Sequence, residues 1–142
     1  MASPLRSLLL LLAVLAVDWA ASPKQGMRLV GGVIDANAND TGVLEALNFA
    51  MSEYNKENND AYHSRAIQVV KARKQIVAGV KYFLDVEIGR TTCTKTETAL
   101  ELTKCPFHEQ PHLIKKAFCS FQIFSVPWLG KQTLTRSSCK SA

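Results

Sequence analysis

From residue 41 to about residue 58 the apolar side chains Val43, Leu44, Leu47, Ala50, Met51 and Tyr54 recur every three or four positions, with Glu45, Asn48, Ser52, Glu53 and Lys56 between them. That period predicts a helix with one face on a core. Asp40 or Thr41 can cap its start, and Asn58-Asn59-Asp60 ends it. After Ser64 the period changes to two. Val80, Tyr82, Leu84, Val86 and Ile88 alternate with Lys81, Phe83, Asp85 and Glu87, which predicts a strand with one buried face. Residues 66–74 are rich in Ile and Val and predict its partner, with Gln75-Ile76-Val77-Ala78-Gly79 between them, where Gly79 permits a turn. Residues 117–126 and 132–139 predict a second hairpin around Pro127-Trp128. One long helix and several antiparallel strands make an α+β fold in which the helical stripe covers the sheet.

The first residues read differently. Arg6, an apolar run over residues 8–17 and small residues at Ala20, Ala21 and Ser22 have the layout of a secretory signal peptide, too short to span a bilayer. We therefore expect residues 1–21 to be removed, with cleavage at 20–22, leaving residues 22–142 as one extracellular domain of modest core. Loss of Arg6 and Asp18 leaves the net charge at +5. Lys71, Arg73 and Lys74 share their neighbourhood with Asp85 and Glu87, so the basic residues predict a solvated surface rather than a nucleic-acid or membrane partner. Cys93, Cys105, Cys119 and Cys139 predict two disulfides in a secreted chain. A Cys119–Cys139 bridge would centre on Pro127-Trp128-Leu129-Gly130, whose residues suit a tight turn, and that leaves Cys93 with Cys105.

Catalytic chemistry finds little purchase. His108-Glu109-Gln110-Pro111-His112 spells H-E-x-x-H, but two histidines four apart share a metal only on an unbroken helix. Pro111 lacks the N–H and disfavours helix at Gln110, so loop histidines are expected, and no metal or cofactor. With the cysteines oxidised, no nucleophile with its base stands out.

Three stretches are apolar where a soluble domain should be polar: Leu29-Val30-Gly31-Gly32, the tip of the first hairpin, and Pro127-Trp128. Each alone has a plain structural explanation. Val77 or Trp128 can fold back onto the core, and Leu29-Val30 can begin a strand. Together they have another reading. Gln75-Ile76-Val77-Ala78-Gly79 resembles the Q-x-V-x-G motif of the cystatins, inhibitors of papain-like cysteine proteases. Gly31 after two apolar residues, Pro127-Trp128 and four cysteines in the last third resemble the secreted type 2 members, over residues 29–139.

The resemblance implies an antiparallel sheet of about five strands wrapped around one long helix, and a monomeric inhibitor of cathepsins that performs no chemistry. It implies that Leu29 and Val30 occupy the unprimed subsites, while Gly31 turns the chain away from the catalytic cysteine. Gln75, Ile76, Val77, Ala78 and Gly79 would fill the centre of the cleft, with Pro127 and Trp128 on the primed side. Some type 2 members also inhibit legumain through an asparagine after the helix, and Asn59 matches that place, although Asn58 stands where the family commonly has serine. Alternatively, Asn58-Asn59-Asp60 only ends the helix. A binding or antimicrobial module without protease inhibition is the other reading of such a fold. Asn39-Asp40-Thr41 is an N-glycosylation sequon. A β-branched Val77 at a tight turn predicts strain there, whose release would favour a domain-swapped dimer.

Overall fold

A computed structural model of the chain describes residues 31–97 and 101–142. The expected signal segment, residues 1–21, and the candidate binding residues Leu29 and Val30 lie outside them. The chain divides into residues 1–32 and residues 33–142, and the second unit holds every element below. These are β1 (Ile34–Asp35), α1 (Thr41–Glu57), β2 (Tyr62–Ile76), β3 (Val80–Thr94), β4 (Lys116–Val126) and β5 (Lys131–Ser141), with 3-10 turns at Leu102–Lys104 and Pro127–Leu129.

The helix begins and ends close to where its pattern predicts. Asp40 is the N-cap and accepts a hydrogen bond from the Gly42 amide at 3.4 Å. Asn58, extended at the C-cap, still donates its amide to the Tyr54 carbonyl. The buried face is Val43, Ala46, Leu47, Ala50, Met51 and Asn55. Leu44, expected inside, is exposed, and Tyr54 only packs on the core's edge. Asn55 takes the deep position because its amide bonds both polar groups of the Ser64 backbone, Nδ2 to the carbonyl at 2.9 Å and Oδ1 from the amide at 2.8 Å. Those bonds fix where β2 leaves the helix.

The strands lie in the order β1-β2-β3-β4-β5, every neighbour antiparallel. β2 and β3 are 15 residues each, longer than the expected strands, because pairing runs from Ile76 opposite Val80 to Tyr62 opposite Thr94. Three register shifts in β2 bend the hairpin, which lets the sheet curl around α1. Alternation in β3 sends Tyr82, Leu84, Val86 and Ile88 inward, and β4 adds Cys119, Phe121 and Ile123. With the helical stripe these form one core. Burying a side chain such as Leu84 or Phe121 stabilises the fold by about 1.5–3 kcal/mol.

Both disulfides form as expected. Cys119 and Cys139 stand opposite each other in β4 and β5, and Cys93–Cys105 ties the end of β3 to the following connection. Arg65 holds the same connection, donating from Nε to the Cys105 carbonyl at 2.7 Å while its guanidinium lies 3.9 Å from the Phe107 ring centre.

Candidate functional site

Register, rather than any single residue, assembles the candidate edge. Ile76 opposite Val80 leaves residues 77–79 as the first hairpin tip, and Val126 opposite Lys131 leaves residues 127–130 as the second. Val80 stands opposite Ser125, so both tips emerge at the same end of the sheet on adjoining hairpins. Neighbouring strands are about 4.8 Å apart. β1 reaches the same end: Ile34 pairs with Lys74 and Asp35 with Arg73, so its N-terminal end is the one nearer the first tip.

The first tip is tight. Its turn is closed by the Val77 amide donating to the Gly79 carbonyl at 2.9 Å. Gly79 has φ 143° and Ala78 φ 49°. Strain at the tip therefore belongs to Ala78, the one non-glycine residue at positive φ among the described residues, and not to Val77. A Cβ on Gly79 would lie 2.7 Å from the Ser125 carbonyl oxygen and 3.0 Å from the Phe124 ring, so glycine lets the first tip nest against β4. The motif itself straddles strand and turn: Gln75 and Ile76 still pair, with Lys81 and Val80, and only residues 77–79 turn.

The second tip is a 3-10 turn, with proline at its start and Gly130 in the left-handed region at φ 61°. It turns its apolar side chains outward: Trp128 is 69% exposed and Leu129 61%. Ile76 is 52% exposed, and Val33 and Ile34 are exposed as well. Five of the nine large exposed apolar residues described thus belong to one end of the sheet. Val77 is half-buried, Ala78 and Pro127 are exposed, and Gly79 is covered. Gly31 is half-buried, and Gly31 and Gln75 each make a further contact. Sequence reasoning did not single out Val33, Ile34 or Leu129. Leu129 was legible as an apolar residue inside the predicted turn, whereas Val33 and Ile34 needed the register of β1.

The edge carries no acid or base between residues 76 and 80 or between 126 and 130. Arrangements of this kind bind; they offer nothing to transfer a proton. The histidines lie elsewhere. His108 sits edge-on to Tyr62 with ring centres 4.5 Å apart, and His112 is exposed in a turn, so Pro111 does break the motif as predicted. No three potential metal ligands cluster among the described residues. Close behind the edge, the Tyr82 phenol is pushed above its usual range by burial and by the carboxylates of Asp40 and Glu45.

Asn59 is exposed in the α1–β2 connection, at the other end of the sheet. Its loop is braced on both sides. Asn58 accepts from the Asp60 amide at 3.1 Å and is bonded by Lys95, whose Nζ also reaches the Asn58 carbonyl at 2.8 Å. Asp60 accepts from the Tyr62 amide at 3.0 Å and from Arg90 at 2.6 and 2.8 Å. Burial alone would raise the Asp60 pKa, but the Tyr62 amide and the Arg90 guanidinium together hold it below its usual value. Asn39 is exposed one residue before the N-cap, with its backbone amide bonded to Asn37 Oδ1 at 2.9 Å.

Comparison with known proteins agrees with this geometry. The family model described as "Cystatin domain" matches residues 31–128. Cystatin-C of Mus musculus is 71% identical over 142 residues, covering all of both chains, and Cystatin-C of Homo sapiens is 63% identical over 148 aligned positions, again covering all of both. Among solved structures, dimeric human cystatin F superposes with a TM-score of 0.74 at 34% identity, over 80% of this chain and 89% of that one. With five antiparallel strands around one helix and full-length relatives at this identity, the chain belongs to the cystatin family, whose members are cysteine-protease inhibitors and not enzymes.

Proposed function

We propose that this protein is a secreted, reversible, tight-binding inhibitor of papain-like cysteine proteases, the cathepsins among them, which plugs the active-site cleft with a three-part edge. In this reading Leu29, Val30 and Gly31 fill the unprimed side, residues 75–79 the centre, and Pro127 and Trp128 the primed side. The observation that carries it is the apolar end of the sheet, where the two hairpin tips adjoin and Trp128 stands clear of the core. A rigid hairpin tip loses little freedom on docking, so most of the burial free energy is retained. Leu129 extends the primed-side surface. The full-length likeness to Cystatin-C favours this reading over a binding module without inhibition.

Secretion is supported by the two disulfides and by the sequence of the first 21 residues, and residues 22–142 would then be the mature domain. An exposed asparagine in Asn39-Asp40-Thr41 suits N-glycosylation. Asn59 is the second inhibitory site in this proposal, directed at legumain. Its exposure and the bracing of its neighbours Asn58 and Asp60 support that role over simple helix termination. The expected form is a monomer, with a domain-swapped dimer as the inactive alternative.

Protection of the target's catalytic cysteine tests the reading. Papain mixed with an equimolar amount of the protein should lose its reaction with an active-site-directed alkylating agent and regain it on dissociation. Unchanged alkylation under saturating inhibitor would rule out a plug in the cleft.

A further inference from the structure

Side-chain charge is not spread evenly over the fold, contrary to the expectation from sequence. Residues of β3 and β4 that alternate with the buried ones point to the outer face of the sheet, and their register partners share that face. By this parity the outer face carries Lys71, Arg73, Lys81, Lys116, Arg136 and Lys140, together with Arg65 opposite Gly89 and Lys131 opposite Val126. Three carboxylates share it: Asp35, Asp85 and Glu87. Eight cations against three carboxylates leave a surplus of five, while the other described side chains, six Lys and Arg against eight Asp and Glu, are net negative. The net positive charge of the described chain therefore resides on this one face.

Two of the cations near the first hairpin tip, Arg73 and Lys81, share an aromatic ring, and Arg136 lies across the next strands. Arg73 stands opposite Phe83, Phe83 opposite Gln122, and Gln122 opposite Arg136. Lys81 is two residues from Phe83 on the same strand. The Arg73 guanidinium lies 5.6 Å and the Lys81 ammonium 5.3 Å from the Phe83 ring centre. The negative π-face of a ring attracts cations at such distances, so Phe83 favours both. None of Arg73, Lys81 or Arg136 is in an ion pair among the described residues. Asp35 stands opposite Arg73 at the sheet edge without pairing with it, and Asp85 is engaged by the Ser120 hydroxyl at 2.8 Å. Arg73 Nε is turned from solvent and has no hydrogen-bond acceptor among the described residues.

We propose that this half of the outer face, centred on Phe83 and carrying Arg73, Lys81 and Arg136, is a binding surface for a sulfated polysaccharide chain. The charge surplus calls for a polyanion. The outer face of a sheet curled around its helix is convex, which suits a linear one laid across the strands, and the extracellular setting of the proposed function selects sulfated sugar among linear polyanions. The face adjoins the edge at Gln75, but none of Arg73, Lys81 and Arg136 is among the residues assigned to the plug, so inhibition does not rest on them.

A heparin-derived decasaccharide is the probe, titrated against the mature protein at two salt concentrations. The wild type should bind, and more weakly at higher salt, as screening requires. The variant Arg73→Gln/Lys81→Gln/Arg136→Gln should bind at least about tenfold more weakly, since cations beside an anionic partner contribute roughly additively. The charge-matched control Lys56→Gln/Lys104→Gln/Lys115→Gln should stay within about twofold of wild type, because a diffuse field does not distinguish the faces. Both variants should inhibit papain as the wild type does, which checks their folding independently of the sugar. No decasaccharide binding by the wild type, equal losses in the two variants, or equally tight binding of a single-stranded oligonucleotide of the same charge would each overturn the proposal.

Discussion

Trp128 holds an indole at a turn where only 310-type backbone and Gly130 support it, and nothing in the fold requires an aromatic residue there. Its free energy is expected in the complex, where an aromatic side chain buries about 150–250 Å². Trp128→Ala should leave thermal unfolding within about 1 °C and weaken papain inhibition by about 2 kcal/mol, roughly thirtyfold. Equal inhibition constants for the two proteins would remove Trp128 from the contact. Gly79 makes the opposite prediction. An added methyl group meets the Ser125 carbonyl at 2.7 Å and a backbone angle that L-residues avoid, so Gly79→Ala should lose about 1–3 kcal/mol of stability in denaturant titration as well as affinity. Trp128 and Gly79 were both legible in the sequence, one as an apolar residue in a turn and the other as a turn glycine. Ala78 was not, because nothing in an alanine announces a left-handed backbone; the tight closure between Val77 and Gly79 imposes it.

The two long hairpins were predicted with the right pairing but too short, since the residues extending β2 toward Tyr62 break the alternation at its bulges. The helix kept its ends but not every face position: Leu44, expected inside, is exposed, and the polar Asn55 is buried because Ser64 satisfies both ends of its amide. Asn55→Ala would leave that buried backbone unpaired and should destabilise the protein by about 1–3 kcal/mol in denaturant titration; no change would show that the contact is incidental. The loop after the helix is the element on which the second site depends. Asn59→Ala should abolish legumain inhibition and leave papain inhibition within twofold, and retention of legumain inhibition would assign Asn59 to helix termination alone. Because the Asp60 pKa is lowered in the fold, its stabilising contribution is complete above the usual value of 3.8 and is lost only as pH falls through the lowered one. The loop should therefore stay braced in mildly acidic solution, as amide exchange at Tyr62 would report; loosening between pH 6 and 5 would contradict the Arg90–Asp60 pairing.

At the scale of the molecule, the apolar edge and the Asn59 loop occupy opposite ends of β2, a strand at most about 50 Å long. If both proposed sites act, that separation would leave room for the two proteases at once. The fold class, its single helix and both disulfides followed from periodicity and cysteine spacing. What did not follow was the place of β1 beside the hairpin tips and the concentration of charge on one face, because both depend on cross-strand register, which no local pattern states. In the proposed domain-swapped dimer, opening the 77–79 turn would relax Ala78, which has positive φ, as β2 and α1 exchange between chains. Ala78→Gly should thus yield less dimer after mild denaturation in gel filtration, and an unchanged or larger dimer fraction would place the driving force elsewhere. The most direct test of the central claim is a titration of active-site-counted papain with the mature protein, following both residual activity and the integrity of the added chain. The account predicts reversible loss of all activity at one inhibitor per enzyme with the chain uncut; residual activity at excess inhibitor, or cleavage of the chain at residues 75–79, would contradict it.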